Sequence, residues 1–169
     1  MNWAPFTVAE PGMRPDSHRS ISTPEGMGDR LRIAAFAEFQ ALHAFAWAIH
    51  HFKDASEELK KDWLSLIPEE QRHYDSIMGR MKDLGVDPGA RNVSCQLWTS
   101  LESCKSAREF ELFIANAEER GRKGALHFVE YFRTKDPTTA GIFRKIAEEE
   151  IAHVALAKKH YPDAPQPTA

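Results

Sequence analysis

Two stretches of this sequence place a glutamate and a histidine three positions apart: Glu70 and His73 in "EEQRHYDS", and Glu150 and His153 in "EEEIAHVAL". On a helix such positions share a face, so each pair can present a carboxylate and an imidazole together. Their neighbours are apolar. Leu59, Trp63, Leu66, Ile77, Met81 and Leu84 step by three or four residues, and Glu70 and His73 occupy the middle of that stripe. Phe143, Ile146 and Ala157 flank Glu150 and His153 in the same way. Two more glutamates lie on apolar stripes: Glu38 with Leu31, Ala35, Leu42, Phe45 and Ile49, and Glu118 with Ile114, Ala125, Val129 and Phe132.

Glu38 and Glu118, Glu70 and Glu150, and His73 and His153 are each separated by 80 positions. A fixed offset of this kind points to a duplicated hairpin. Asp54 lies 16 positions after Glu38 and 16 before Glu70, and Thr134 stands in the same relation to Glu118 and Glu150. At about 1.5 Å rise per residue, each glutamate is roughly 24 Å from its turn, so the two in a hairpin are level. Four carboxylates and two imidazoles would then converge at one depth. Burying a carboxylate is costly, and four together repel. Two divalent cations cancel four negative charges, and an oxygen-rich set with two imidazoles suits iron, with manganese as the alternative. In this reading Glu70 and Glu150 bridge the two ions, Glu38 and Glu118 are terminal ligands, and His73 and His153 supply nitrogen.

Long helices must carry these residues. The patterns predict helices from about 29 to 52, from the "DASEE" turn (Asp54 and Glu57 at capping-box spacing) to Gly85, from Ser106 to about 133, and from Asp136 to about 161. Tight turns join the first two and the last two. The longer connection "VDPGARNVSCQLWTSLESCK" has room for a short helix near 97–103. Two antiparallel hairpins with one long crossover describe an all-α, ferritin-like four-helix bundle. Residues 1–28, with prolines at 5, 11, 15 and 24, read as an irregular arm, 29–161 as the bundle, and 162–169 as a flexible tail.

Composition narrows the partners. The chain of 169 residues reads as one domain, and its net charge of −3 with scattered Lys and Arg argues against a nucleic-acid surface. Cys95 and Cys104 are the only cysteines and form no CxxC, which argues against a disulfide framework or zinc ribbon. No apolar run reaches membrane length and the start lacks a signal-peptide layout, so the expected compartment is the cytoplasm. The first helix, "AAFAEFQALHAFAWAIHHF", is apolar around most of its circumference. Its outer side must meet the arm or another subunit, and a homodimer is the expectation.

The segments "AFAEFQA", "EEQRH", "AEERG" and "EEIAHVALA" together resemble the ferritin-like superfamily of di-iron carboxylate proteins, including the rubrerythrin bundle. The likeness is closer to a bacterial ferritin-like family of unassigned function, related to the hydroxylase that oxidises isopentenylated tRNA adenosines. The resemblance covers about 29–160 and implies an oxidoreductase or hydroxylase of unknown substrate, dependent on O₂ or peroxide and served by a separate electron donor. The alternative is an iron-binding or storage protein without turnover.

Other residues near the stripes carry simpler expectations. Glu119 breaks the repeat and is expected to be exposed, and Glu111 to sit at a solvated bundle end. Arg122, one turn after Glu118, is a candidate partner for a ligand carboxylate. Tyr74 is expected at a helix interface. His43, His50, His51 and His127 are expected outside the ligand set.

Overall fold

The computed structural model describes residues 1–10, 12–165 and 167. Among them are five helices and no β-strand: α1 (Pro24–His51), α2 (Glu57–Asp83), α3 (Gln96–Glu102), α4 (Ala107–Phe132) and α5 (Pro137–His160). No helix among the described residues is long and apolar enough to cross a membrane. α1 packs along α2 and α4 along α5, and the two hairpins meet through α2 against α5 and α1 against α4.

Local signals set most of these boundaries. The side chains of Ser56, Ser106 and Asp136 accept from the backbone N–H groups of Leu59, Glu109 and Thr139, so each caps a helix start. Gly85 ends α2 with φ +67°, a left-handed conformation that glycine adopts without strain. Two expectations are corrected. α1 begins at Pro24 rather than near Asp29, because Thr23 accepts from Gly26 N–H and Pro24 opens the first turn. Asp54 does not cap α2; its carboxylate accepts from Ala107 N–H and ties the first hairpin's turn to the start of α4. α2 runs unbroken through Pro68. Pro68 and Leu64, whose carbonyl loses its helical partner there, both lie on the exposed side.

The arm supplies the cover that α1 needs. Trp3 meets Phe36, Phe39 and Trp98 edge-on, and Phe6 packs on Phe36 and Tyr74. An isolated parallel bridge joins Val8 to Val93 of the crossover. Asp29, buried at the start of α1, takes Arg19 at 2.6 Å, Arg32 at 3.1 Å and Arg91 at 3.5 Å, which locks arm, helix and crossover together. The arm thus covers part of the apolar outer face of α1 from within the chain, while Ile33 stays exposed. The expected tail falls partly outside the described residues; within them Asp163 pairs with Arg108 and Ala164 is buried.

Two apolar clusters fill the interior. One lies toward the 52–56 turn and contains Phe45, Phe52, Leu59, Trp63, Leu101, Phe110 and Ile114. The other contains Leu31, Phe36, Ile77, Met81, Phe143 and Ile146. Glu111 belongs with the first cluster and corrects another expectation. It is 1% exposed rather than solvated, and Trp63 Nε1–H donates to its carboxylate at 2.7 Å. Burial pushes this carboxyl up to about 7, against the smaller opposing effect of the Trp63 hydrogen bond.

A raised carboxyl stabilises the fold fully below its unfolded value of about 4.5 and loses that contribution as pH rises through about 7. Glu111→Gln cannot ionise and keeps an acceptor for Trp63. Denaturant unfolding of metal-free protein at pH 5 and pH 8 should show the variant gaining on the parent at the higher pH, by at most about 3 kcal/mol. An unchanged difference between the two pH values would contradict the assignment.

Candidate metal centre

The belt between the two clusters holds the polar residues. Glu38 comes from the middle of α1, Glu70 and His73 from α2, Glu118 from α4, and Glu150 and His153 from α5. Each helix contributes these groups on the face that is otherwise apolar, so the side chains are forced inward. Glu70 is fully buried; His73, Glu150 and His153 are each 2% exposed and Glu118 9%.

Glu38, Glu70, His73 and Glu150 each offer a ligand atom within 4.8 Å of all the others, and this group could hold a metal ion. His73 Nδ1 lies 3.6 Å from Glu38, 3.8 Å from Glu70 Oε2 and 3.3 Å from Glu150 Oε1. On the other side, His153 Nδ1 lies 2.9 Å from Glu70 Oε1 and 3.3 Å from Glu150 Oε2. Glu70 and Glu150 therefore each turn one oxygen toward each imidazole. Glu118 sits beside Glu150, and Glu38, Glu118 and Glu150 line a common cavity of about 50 Å³.

Hydrogen bonding does not account for these atoms. Both oxygens of Glu70 and Glu150, Glu118 Oε1, and Nδ1 of both histidines are buried without a hydrogen-bond partner among the described residues. Buried polar atoms are normally satisfied, so seven orphans in one belt call for a ligand. The outer nitrogens differ. His73 Nε2 is 2.8 Å from Glu149, and His153 Nε2 is 3.1 Å from Glu69. A carboxylate on Nε2–H fixes the ring and leaves the Nδ1 lone pair facing the cluster. Arg72 stands between the two outer carboxylates, 4.0 Å from Glu69 and 3.8 Å from Glu149.

The electrostatics follow from crowding. Burial pushes Glu38 well above the carboxylate range, with His73 opposing and Glu70 and Glu150 adding to the rise. Burial, then Glu150, Glu70 and Glu38, does the same to Glu118. Burial would raise Glu70 as well, but the neighbouring imidazoles of His153 and His73 outweigh it and hold Glu70 low. Burial alone would lower the imidazoles; the carboxylates reverse this, raising His73 strongly and His153 to about 11. These directions favour the protonated forms of Glu38, Glu118 and the two imidazoles, and divalent cations bound there would displace such protons.

The other sequence expectations divide. Tyr74 stacks on Phe39 at 4.9 Å, a helix-interface role. His43 packs on Phe39 and Trp3, and His51 stacks on Trp47. Arg122 clasps Glu119, not a ligand carboxylate, with two hydrogen bonds of 2.6 and 2.9 Å, and this corrects the expected exposure of Glu119, whose side chain is 8% exposed. An i,i+3 pair on the same helix is simply nearer than the cluster. Glu69 and Glu149 were not anticipated. Their signal was present, since they too are 80 positions apart, but they lie one position off the apolar stripe.

Comparison with known proteins is consistent with the extent of this fold. A protein of Haemophilus influenzae, described as uncharacterized, is 28% identical over 153 residues, which cover 85% of this chain and 53% of the relative. The chain thus spans about half the length of that relative. A family model described as "Protein of unknown function (DUF455)" matches residues 5–166, which include most of the arm, the crossover and all six inward-facing residues, so the chain belongs to the DUF455 family.

Proposed function

We propose that the protein is a ferritin-like di-metal carboxylate protein, di-iron or di-manganese, acting as an O₂- or peroxide-dependent oxidoreductase or hydroxylase with a separate electron donor. The observation that carries this reading is the arrangement of Glu70 and Glu150. Each spans the two imidazoles with one oxygen apiece, as a carboxylate shared by two ions must, and none of the four oxygens has another partner among the described residues. Glu38 and Glu118 would each serve one ion, and His73 and His153 would each give Nδ1.

A bound pair of redox-active ions would supply electrons to the oxidant at positions the protein leaves free. The chain's own residues do the rest. Glu69 and Glu149, each beside an Nε2, would hold the imidazoles with Nδ1 turned toward the ions. Ile77, Phe143 and Ile146 cover the belt on one side, and Trp63, Phe110 and Ile114 on the other, which limits the contact of the centre with bulk water.

Three outcomes are expected. Protein purified without chelators and titrated with ferrous or manganous ion should saturate at two ions per chain; saturation below one would sink the reading. Glu70→Ala or Glu150→Ala should lose both ions, whereas Glu119→Ala should keep them, because Glu119 is held by Arg122.

Glu69→Gln and Glu149→Gln should each retain the fold and weaken metal binding roughly 10- to 100-fold. Equal affinity in both variants would show that the outer carboxylates do not position the rings.

Stopped-flow absorbance of the di-ferrous protein mixed with oxygenated buffer separates turnover from passive binding. Oxidation well above the rate of free ferrous ion, abolished in Glu70→Ala, is expected; oxidation no faster than free ion would favour a binding or storage role.

A further inference from the structure

We propose that the groove between α1 and α4 binds an apolar molecule with an anionic head group, Arg30 holding the head while the apolar end reaches Glu38 and Glu118. This deepens the metal-centre reading and rests on it for the identity of what lies at the inner end.

A cavity of about 290 Å³ runs along this face, walled by Ile33, Ala37, Phe128 and Phe143 and floored by Gly121 and Gly124. It shares Ala37, Glu38, Gly121 and Ile146 with the smaller cavity that Glu118 and Glu150 line, so the two adjoin. Apart from Glu38 at the inner end, the charged or titratable groups in the lining are Arg30 and His18, both at the outer end. Arg30 and Glu38 are eight positions apart on α1, or about 12 Å along the axis, the reach of a medium-length alkyl chain.

Two features show space kept open for something other than this chain. Glycine inside a helix is destabilising relative to alanine, yet α4 carries Gly121 and Gly124 where an added Cβ would meet no atom within 4 Å. The equivalent positions 80 residues earlier are Ala41 and Ala44, both buried in the core. Packing within this chain therefore does not require the glycines. The second feature is Arg30, whose Nη1 is buried without a hydrogen-bond partner among the described residues. Arg19, Arg32, Arg80, Arg91 and Arg122 all have carboxylate partners. A guanidinium with a free donor at the mouth of an apolar groove suits a carboxylate or similar anion. The cavity on the α2–α5 face lacks this character, because its cations Arg72 and Lys145 are already directed to Glu149.

Calorimetric titration of the manganese-loaded full chain with decanoate tests the proposal, with decyltrimethylammonium as the probe of equal tail and opposite head. Saturable binding of one decanoate per chain and none of the cation are expected. Arg30→Gln should weaken decanoate binding at least about tenfold. Gly124→Leu should abolish it while keeping the metal content and not lowering the melting temperature. Decanoate binding that is unchanged in either variant, or matched by the cation, would overturn the proposal. A wild-type chain that holds two ions but binds no decanoate would refute the groove and leave the metal centre standing. Decanoate binding, lost in Gly124→Leu, by a chain that takes up no metal would support the groove and refute the metal centre.

Discussion

A belt of four carboxylates and two imidazoles, shut between two apolar clusters, is the constraint on which the rest of the molecule depends. Such a belt can exist only where several helices are long enough to carry a cluster on each side of it. The four long helices have 28, 27, 26 and 24 residues, and the polar groups lie near the middle of each. Their ends are fixed by capping side chains and by the buried Asp29 network, so the depth of the belt is set at both ends of the structure. Unpaired charge there would be destabilising, and the crowding raises Glu38, Glu118 and both imidazoles, groups that also make good metal ligands.

The recurrence of the same residue types 80 positions apart gives the belt its symmetry, and the two halves also differ. Glu69 and Glu149 preserve it, each reaching across to the histidine of the other hairpin. The outer faces do not. α1 is covered in part by the aromatic side chains of the arm, whereas α4 carries two glycines where α1 has alanines, and a cavity lies between the two helices beside Glu38.

Much of this was legible in the sequence because the relevant signals are local or periodic. Glutamate and histidine in the middle of apolar stripes, repeated at a fixed offset, identify the inward-facing residues without any knowledge of contacts. Helix starts at Ser106 and Asp136 were legible for the same reason. What escaped depended on partners distant in sequence. Glu111 looks like a solvated residue until Trp63, 48 positions away, is placed against it. Asp54 has capping spacing, but its carboxylate turns to Ala107 instead. Glu69 and Glu149 lie off the stripe and act across hairpins. The start of α1 was hidden for a different reason: a proline usually marks irregular chain, but Pro24 follows a threonine cap and opens a helix.

The central claim is that Glu70 and Glu150 are shared by two ions, and anomalous diffraction from crystals of the manganese- or iron-loaded protein tests it most directly. The account predicts two anomalous peaks per chain, about 3.5–4 Å apart, each within bonding distance of one oxygen of Glu70 and one of Glu150, with His73 on one ion and His153 on the other. A single peak, or two peaks that share neither carboxylate, would contradict it.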